Sequence, residues 1–254
     1  MFRVVIPARH GSTRLPGKPL LPLLGRPMIE WVYLRARRAG ASEVVIATDD
    51  RRILEAARGF GAAAMMTAAT HASGTDRIAE VAQREGWDEG DIVVNVQADE
   101  PLLPAQLITQ VAELLRRHAA ADLATLATPI TSLAQLLDPH VVKVVAGMQQ
   151  RALYFSRAPI PWDRDGAMSG GQTSLARARR HLGLYAYRVS SLLRLASLPA
   201  GTLEQLERLE QLRALENGFD IRVADALCAA GPDVNTAADI SAVEALLAAD
   251  PERP

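Results

Sequence analysis

The chain has 254 residues, enough for one large α/β domain with a substantial core. Its 28 Lys and Arg nearly balance 29 Asp and Glu, a net charge of −1, which excludes wholesale coating of nucleic acid and makes any anion site a local cluster. Cys228 is the only cysteine; that excludes an intrachain disulfide and a cysteine-based zinc site and fits a reducing cytoplasm, and no apolar run approaches the roughly 18–20 residues of a membrane insertion.

Val4-Val5-Ile6 opens a first strand, too short for the apolar centre of a signal peptide. The loop that follows, Pro7 to Leu20, gathers Arg9, Gly11, Ser12, Thr13, Arg14, Gly17 and Lys18. Glycine lets backbone approach a ligand closely, and successive free N–H groups nest an anion. Arg adds a planar fork and Lys a compact point charge. The loop therefore reads as a phosphate cradle. The spacing predicts a helix from Pro27 to Arg38, a strand over Val44–Ala47 running into the cap cluster Thr48-Asp49-Asp50, and a helix over Arg51–Phe60 closed by Gly61. Ser73-Gly74-Thr75-Asp76-Arg77 leads into a helix at Ile78, Ile92 to Val96 is a buried strand, and Pro104 to His118 is the next helix. Such alternation predicts a Rossmann-like α/β fold, a mostly parallel or mixed sheet covered by helices on both faces. Ligands of open parallel sheets bind at the carboxyl ends of strands, so the loops after Ile6, Ala47 and Val96 should share one crevice.

Leu123–Pro129, Val141–Val145, Ala152–Phe155 and Leu182–Tyr187 read as strands, and the Gly-, Pro-, Asp- and Ser-rich stretch from Ile160 to Arg180 as a mobile loop or linker. Residues from about 130 to 190 are expected to form a smaller antiparallel subdomain or flap within a single domain of residues 1–254. Leu203 to Asn217 reads as one amphipathic helix closing at Gly218, Asp220 to Ala226 as a strand and Asp239 to Ala249 as a helix.

Asp99 and Glu100 follow the Ile92–Val96 strand. That position suits a Mg²⁺ ligand beside phosphates, and equally an acidic turn or cap before Pro101. Gln97 both donates and accepts, and is placed to read a base edge. Arg77 is either a first-turn surface residue or a partner for a ligand anion at the helix start. Tyr154 to Trp162 and His181 to Arg188 set Tyr and His beside Arg, a wall for a hydroxylated acid or a piece of core. The chain has only two lysines, Lys18 and Lys143.

These segments together resemble the 3-deoxy-manno-octulosonate cytidylyltransferases, or CMP-Kdo synthetases. The resemblance is carried, over nearly the whole chain, by Ile6-Pro7-Ala8-Arg9, Ser12 to Leu20, Ser73 to Arg77, Val94 to Gln97 with Asp99-Glu100-Pro101, Val142 to Val145, Tyr154 to Arg157 with Ile160-Pro161-Trp162, His181-Leu182-Gly183 with Tyr185 and Tyr187-Arg188, and Leu209 to Arg213. It implies transfer of CMP from CTP to the anomeric hydroxyl of Kdo with release of pyrophosphate, in lipopolysaccharide biosynthesis, by a homodimer. It assigns Arg9, Gly11, Ser12, Arg14 and Lys18 to the CTP phosphates, with Gln97 near the nucleotide. Lys18, Arg14 and Asp99 become the catalytic set. Arg77, Arg157, His181, Tyr185, Glu210 and Gln211 are assigned to the sugar-acid pocket, with His181 as a hydrogen-bonding residue rather than a base. Mg²⁺ falls to Asp99 and position 235. There the family usually carries Val-Asp-Thr, whereas this chain has Val234-Asn235-Thr236. Asn235 offers a carbonyl oxygen without negative charge. Asp233, two residues earlier, is expected to point to the opposite side of an extended stretch. His10 stands where relatives often carry an aromatic residue. The alternatives are a cytidylyltransferase for amino-Kdo or a sialic acid, and a CTP-binding protein with impaired catalysis. The G-x-G-x-x-G spacing of a dinucleotide-binding oxidoreductase is absent.

Overall fold

The structure is a computed structural model that describes residues 1–11, 15–168 and 174–250. In chain order its elements are β1 (Arg3–Ala8), β2 (Pro22–Leu23), β3 (Arg26–Pro27), α1 (Met28–Arg38), β4 (Glu43–Thr48), α2 (Arg51–Gly59), β5 (Ala63–Met66), α3 (Gly74–Arg84), β6 (Ile92–Asn95), α4 (Ala105–Arg117) and β7 (Leu123–Pro129). There follow α5 (Leu133–Leu137), β8 (Lys143–Ala146), β9 (Ala152–Ser156), α6 (Arg164–Met168), β10 (Arg179–Arg188), α7 (Val189–Ser197), α8 (Thr202–Glu207), α9 (Gln211–Glu216), β11 (Ile221–Asp225) and α10 (Ala237–Ala249).

The main sheet runs β11-β7-β10-β6-β1-β4-β5. Its pairs are parallel except where β10 lies antiparallel between β6 and β7. β8 and β9 continue antiparallel from the outer end of β10. This is the expected α/β class with an antiparallel extension. Period-two side chains make the layering. Val4, Ile6, Ile46 and Val94 face one core with α1, α2 and α4, while Val5, Val45 and Val93 face the other with α3, α7 and α9. Each fully buried aliphatic side chain contributes about 1.5–3 kcal/mol. α10 closes a third cluster in which Val243, Leu247 and Val234 meet Leu23, Met28 and Trp31. No helix among the described residues is long and apolar enough to cross a membrane.

Several elements depart from the sequence reading, which also had no helix at α5 or α7 and no strand at β2 or β3. The helix expected over Leu203–Asn217 is two helices, α8 and α9, because Arg208 caps α8 with a left-handed backbone at φ 54°. β5 has no β-branched residue and becomes a strand by pairing with β4. Within the stretch read as a loop from Ile160 to Arg180, Arg164–Met168 is a short helix and β10 already begins at Arg179.

Candidate active site

β1, β4, β6, β7 and β11 all deliver their carboxyl ends to one edge of the sheet, and antiparallel β10 brings its first residues, Arg179 to His181, to the same edge. The turn after β6 lies at the centre of this edge. Glu100 N–H donates to the Gln97 carbonyl at 3.3 Å and Leu103 N–H to the Glu100 carbonyl at 3.1 Å, which holds Gln97, Asp99 and Glu100 on a tight turn. Gln97 lines four adjoining recesses.

The first recess, about 240 Å³, is walled by Arg9, Gly11, Lys18, Gln97 and Asp99. Gly17 turns the loop with φ +71°, its N–H donating to the His10 carbonyl at 3.0 Å, and a Cβ there would come 3.2 Å from His10 Nε2. Lys18 is thereby tucked in, 9 % exposed, and its Nζ donates to Asp99 Oδ2 at 2.6 Å. Of the residues assigned to the phosphates, the structure thus brings together Arg9, Gly11 and Lys18. Ser12 and Arg14, assigned with them, lie outside the described residues.

Beyond Gln97 the trench runs onto the sheet surface. Thr75, Asn95, Tyr185, Tyr187, Glu210 and Gln211 line it there. Glu210 reaches this wall from the junction between α8 and α9. Burial raises its carboxyl pKa, against a hydrogen bond from Thr75. Burial also raises Tyr185 well above the ordinary phenol value, and the buried Tyr185 hydroxyl has no hydrogen-bond partner among the described residues. Thr75, Asn95 and Tyr187 lie within the segments that carry the resemblance, but none of the three was given a pocket role of its own. Asn95 carried a further signal, as a polar residue ending a buried strand.

The third direction, a recess of about 510 Å³, is lined by Gln97, Asp99, Glu100, Arg180, His181 and Asp233, among others. His181 Nε2 sits 2.9 Å from Thr125 Oγ1, whose hydroxyl lies 2.8 Å from the Leu184 carbonyl. With that hydroxyl donating to the carbonyl, the ring donates from Nε2. Burial, then the charge of Arg180, pushes its pKa down to about 3, so the ring is neutral. Glu100 is pushed up to about 8 by burial, with Asp233 and Asp99 adding like charge.

Two residues assigned to the sugar acid stand behind the site. Arg77 is fully buried; its Nη2 pairs with Asp49 Oδ2 at 2.7 Å and its Nη1 donates to Thr67 Oγ1, tying α3 to the ends of β4 and β5. Arg157 donates from Nε to the Glu207 carbonyl at 2.7 Å and from Nη1 to the Pro139 carbonyl at 2.9 Å. Lys143 is also internal, its Nζ donating to the carbonyls of Asp138, Val141 and Arg157.

Residues 231–236 lie beside Asp99, for Val234 N–H donates to the Asp99 carbonyl at 3.1 Å. Side chains two residues apart on an extended backbone share a face, so the expected opposition of Asp233 and position 235 does not hold; residues 231–235 form no strand. Asp233 faces the charges of Asp99, Lys18 and Arg180, and the Asn235 side chain hydrogen-bonds to it. Among the described residues no group of three or more His, Cys, Asp or Glu is arranged to hold a metal unaided. A hard cation here would share its shell with ligand oxygens, as Mg²⁺ commonly does with phosphates.

A cytidylyltransferase family model matches residues 3–221. The 3-deoxy-manno-octulosonate cytidylyltransferase of Thioalkalivibrio sulfidiphilus is 55% identical over 248 residues, covering 98% of this chain and 99% of the relative. The chain belongs to the 3-deoxy-manno-octulosonate cytidylyltransferase family. The Halorhodospira halophila member is 53% identical, with 95% of each chain covered. The solved structure of a CMP:2-keto-3-deoxy-manno-octonic acid synthetase complexed with CTP superposes with a TM-score of 0.89 at 44% identity, over 98% of this chain and 99% of that one.

Proposed function

We propose that the protein transfers CMP from CTP to the anomeric hydroxyl of Kdo. The hydroxyl gives up its proton to solvent, its oxygen bonds to the α-phosphorus, the bond from that phosphorus to the β-phosphate oxygen breaks, and pyrophosphate leaves with that electron pair. One observation carries the reading: Gln97 joins a cationic loop recess to a hydroxyl- and carboxyl-lined trench, in a chain 44% identical to a synthetase solved with CTP.

Nucleotidyl transfer is mostly positioning and charge neutralisation. Arg9, Lys18 and the loop backbone meet the triphosphate, and their charge offsets what builds on the α-phosphate and the leaving pyrophosphate. Ser12 and Arg14 belong to the same loop. Asp99 holds Lys18 in place before the nucleotide arrives. With CTP it is the carboxylate for Mg²⁺, which when bound neutralises phosphate charge and polarises the reacting oxygens. Tyr185, Glu210 and Gln211 hydrogen-bond the sugar hydroxyls. His181, neutral and tied to Thr125, contributes a hydrogen-bonding ring and takes no proton. The product serves lipopolysaccharide assembly in the cytoplasm, and the working unit is a homodimer.

Incubation with CTP, Mg²⁺ and Kdo should release pyrophosphate in step with CMP-Kdo. Pyrophosphate without added sugar acid, or faster turnover of a sialic acid than of Kdo, would overturn the assignment. Sedimentation at micromolar concentration checks the dimer.

A further inference from the structure

We propose that Asp233, rather than Asn235, supplies the second carboxylate beside Asp99 for a divalent cation bound with the nucleotide triphosphate, and that Asn235 is the positioning residue that aims it. The inference rests on the cytidylyltransferase reading of the site and concerns which side chains complete it.

Four observations converge. The segment carrying Asp233 is held against the turn after β6 by the Val234 N–H bond to the Asp99 carbonyl at 3.1 Å. It touches that turn so closely that a Cβ on Gly231 would stand 2.3 Å from Leu102 Cβ, so position 231 has no room for a side chain. Asp233 lines the same recess as Asp99 and Glu100, and the Asn235 side chain hydrogen-bonds to Asp233. Finally, Glu100 Oε2 is buried with no hydrogen-bond partner, an oxygen of the same recess left unsatisfied in the free protein.

Charge decides what such a site can accept. The carboxylates of Asp99 and Asp233 lie among the charges of Lys18 and Arg180, and Lys18 also borders the phosphate recess. A triphosphate brought to this edge meets carboxylates, and that approach is repulsive unless a cation stands between them. Two carboxylates plus phosphate oxygens are an ordinary Mg²⁺ shell. An amide has no charge to contribute to it, but an amide N–H donating to a ligating carboxylate is the usual outer support of such a ligand.

The test reads cation binding without turnover. Free Mn²⁺ is measured by electron paramagnetic resonance in the presence of protein and CTP, with no sugar acid. CTP binding is measured separately by calorimetry in EDTA, and folding by thermal melts. Asp233→Asn should weaken Mn²⁺ binding by about 100-fold and Asn235→Ala by about 10-fold. The double variant Asp233→Asn/Asn235→Asp, which moves the carboxylate two residues on, should recover part of the loss. Unchanged Mn²⁺ affinity in Asp233→Asn, or a larger loss in Asn235→Ala than in Asp233→Asn, overturns the inference. Failure of the wild type to bind CTP, or Mn²⁺ binding that survives Asp99→Asn, would instead refute the site reading beneath it.

Discussion

Arg77 separates what the family resemblance implies from what the fold imposes. Its guanidinium has no exposed surface, and the Asp49 side chain it pairs with at 2.7 Å keeps only 18% of its own. Arg77→Met removes the cation while leaving Asp49 and the Thr67 hydroxyl in place. Breaking a buried pair from one side costs about 3–5 kcal/mol. The residual exposure of Asp49 lets its carboxylate partly rehydrate, so the lower end, about 3 kcal/mol, applies. At about 2–4 °C per kcal/mol for a chain of this size, melting should fall by about 6–12 °C. The partner variant Asp49→Asn should cost less, and the double variant should recover about 1–2 kcal/mol of coupling. Calorimetric melts give the stability terms and pyrophosphate release gives KM for the sugar acid, which should rise by less than about twofold in Arg77→Met assayed at low temperature. A variant that melts like wild type but needs tenfold more sugar acid would refute the reasoning and return Arg77 to the pocket.

Three further outcomes follow from the same geometry. His181 holds a folded pKa of about 3 against an ordinary 6.5. The unfolded chain therefore binds the extra proton between those values, so stability is present above pH 6.5 and is lost as pH falls. Between pH 6.5 and 5 wild type should lose about 1–2 kcal/mol more than His181→Gln in urea unfolding; parallel pH profiles would contradict a neutral buried ring. Lys143→Met strands three internal carbonyls, at about 1–3 kcal/mol for each buried group left unmade and less where water enters. It should melt well below wild type, and Lys143→Arg should not rescue it, because a guanidinium fork does not fit a cage built around a compact ammonium. Tyr185→Phe removes a hydroxyl that has no partner among the described residues. Its melting point should stay level or rise while KM for the sugar acid rises about fivefold, the worth of one hydrogen bond; a lowered melting point with unchanged KM would show the hydroxyl to be structural.

The strands and most helices were legible because each is written in local periodicity. Val4, Ile6 and Val5 alternate between two cores, and Ser73 with Asp76 spells a capping box that the structure forms, with bonds of 3.1 and 2.9 Å. The loop after β1 was legible as a cationic loop from residue type alone, and its Lys18 meets Asp99 beside Gln97. What was hidden depends on partners far along the chain. The apolar spacing of Leu203, Leu206 and Leu209 continues smoothly through Arg208, yet the chain turns there and so delivers Glu210 to the trench. An arginine four residues into a motif does not announce whether it faces a ligand or Asp49, 28 residues earlier. Asp233 was hidden because it was placed on the side opposite position 235, although residues two apart on an extended chain share a face.

Antiparallel β10, set between β6 and β7, explains why its own residues share one trench with the cationic loop after β1. A parallel strand between β6 and β7 would bring only its last residues and a loop to the carboxyl edge. β10 enters from that edge instead, so Arg180 and His181 stand at the rim beside Asp99 and Asp233, and Tyr185 pairs with Asn95 deeper on the same surface. The rings of His181, Tyr185 and Tyr187 then follow one another at 5.2 and 5.7 Å, forming a floor from the rim inward. Gln97, two residues past the end of β6, is the only described side chain that borders the floor, the rim and the cationic loop together. A ligand that bridges phosphate and hydroxylated acid must cross it, which is the geometry that joining two such substrates requires.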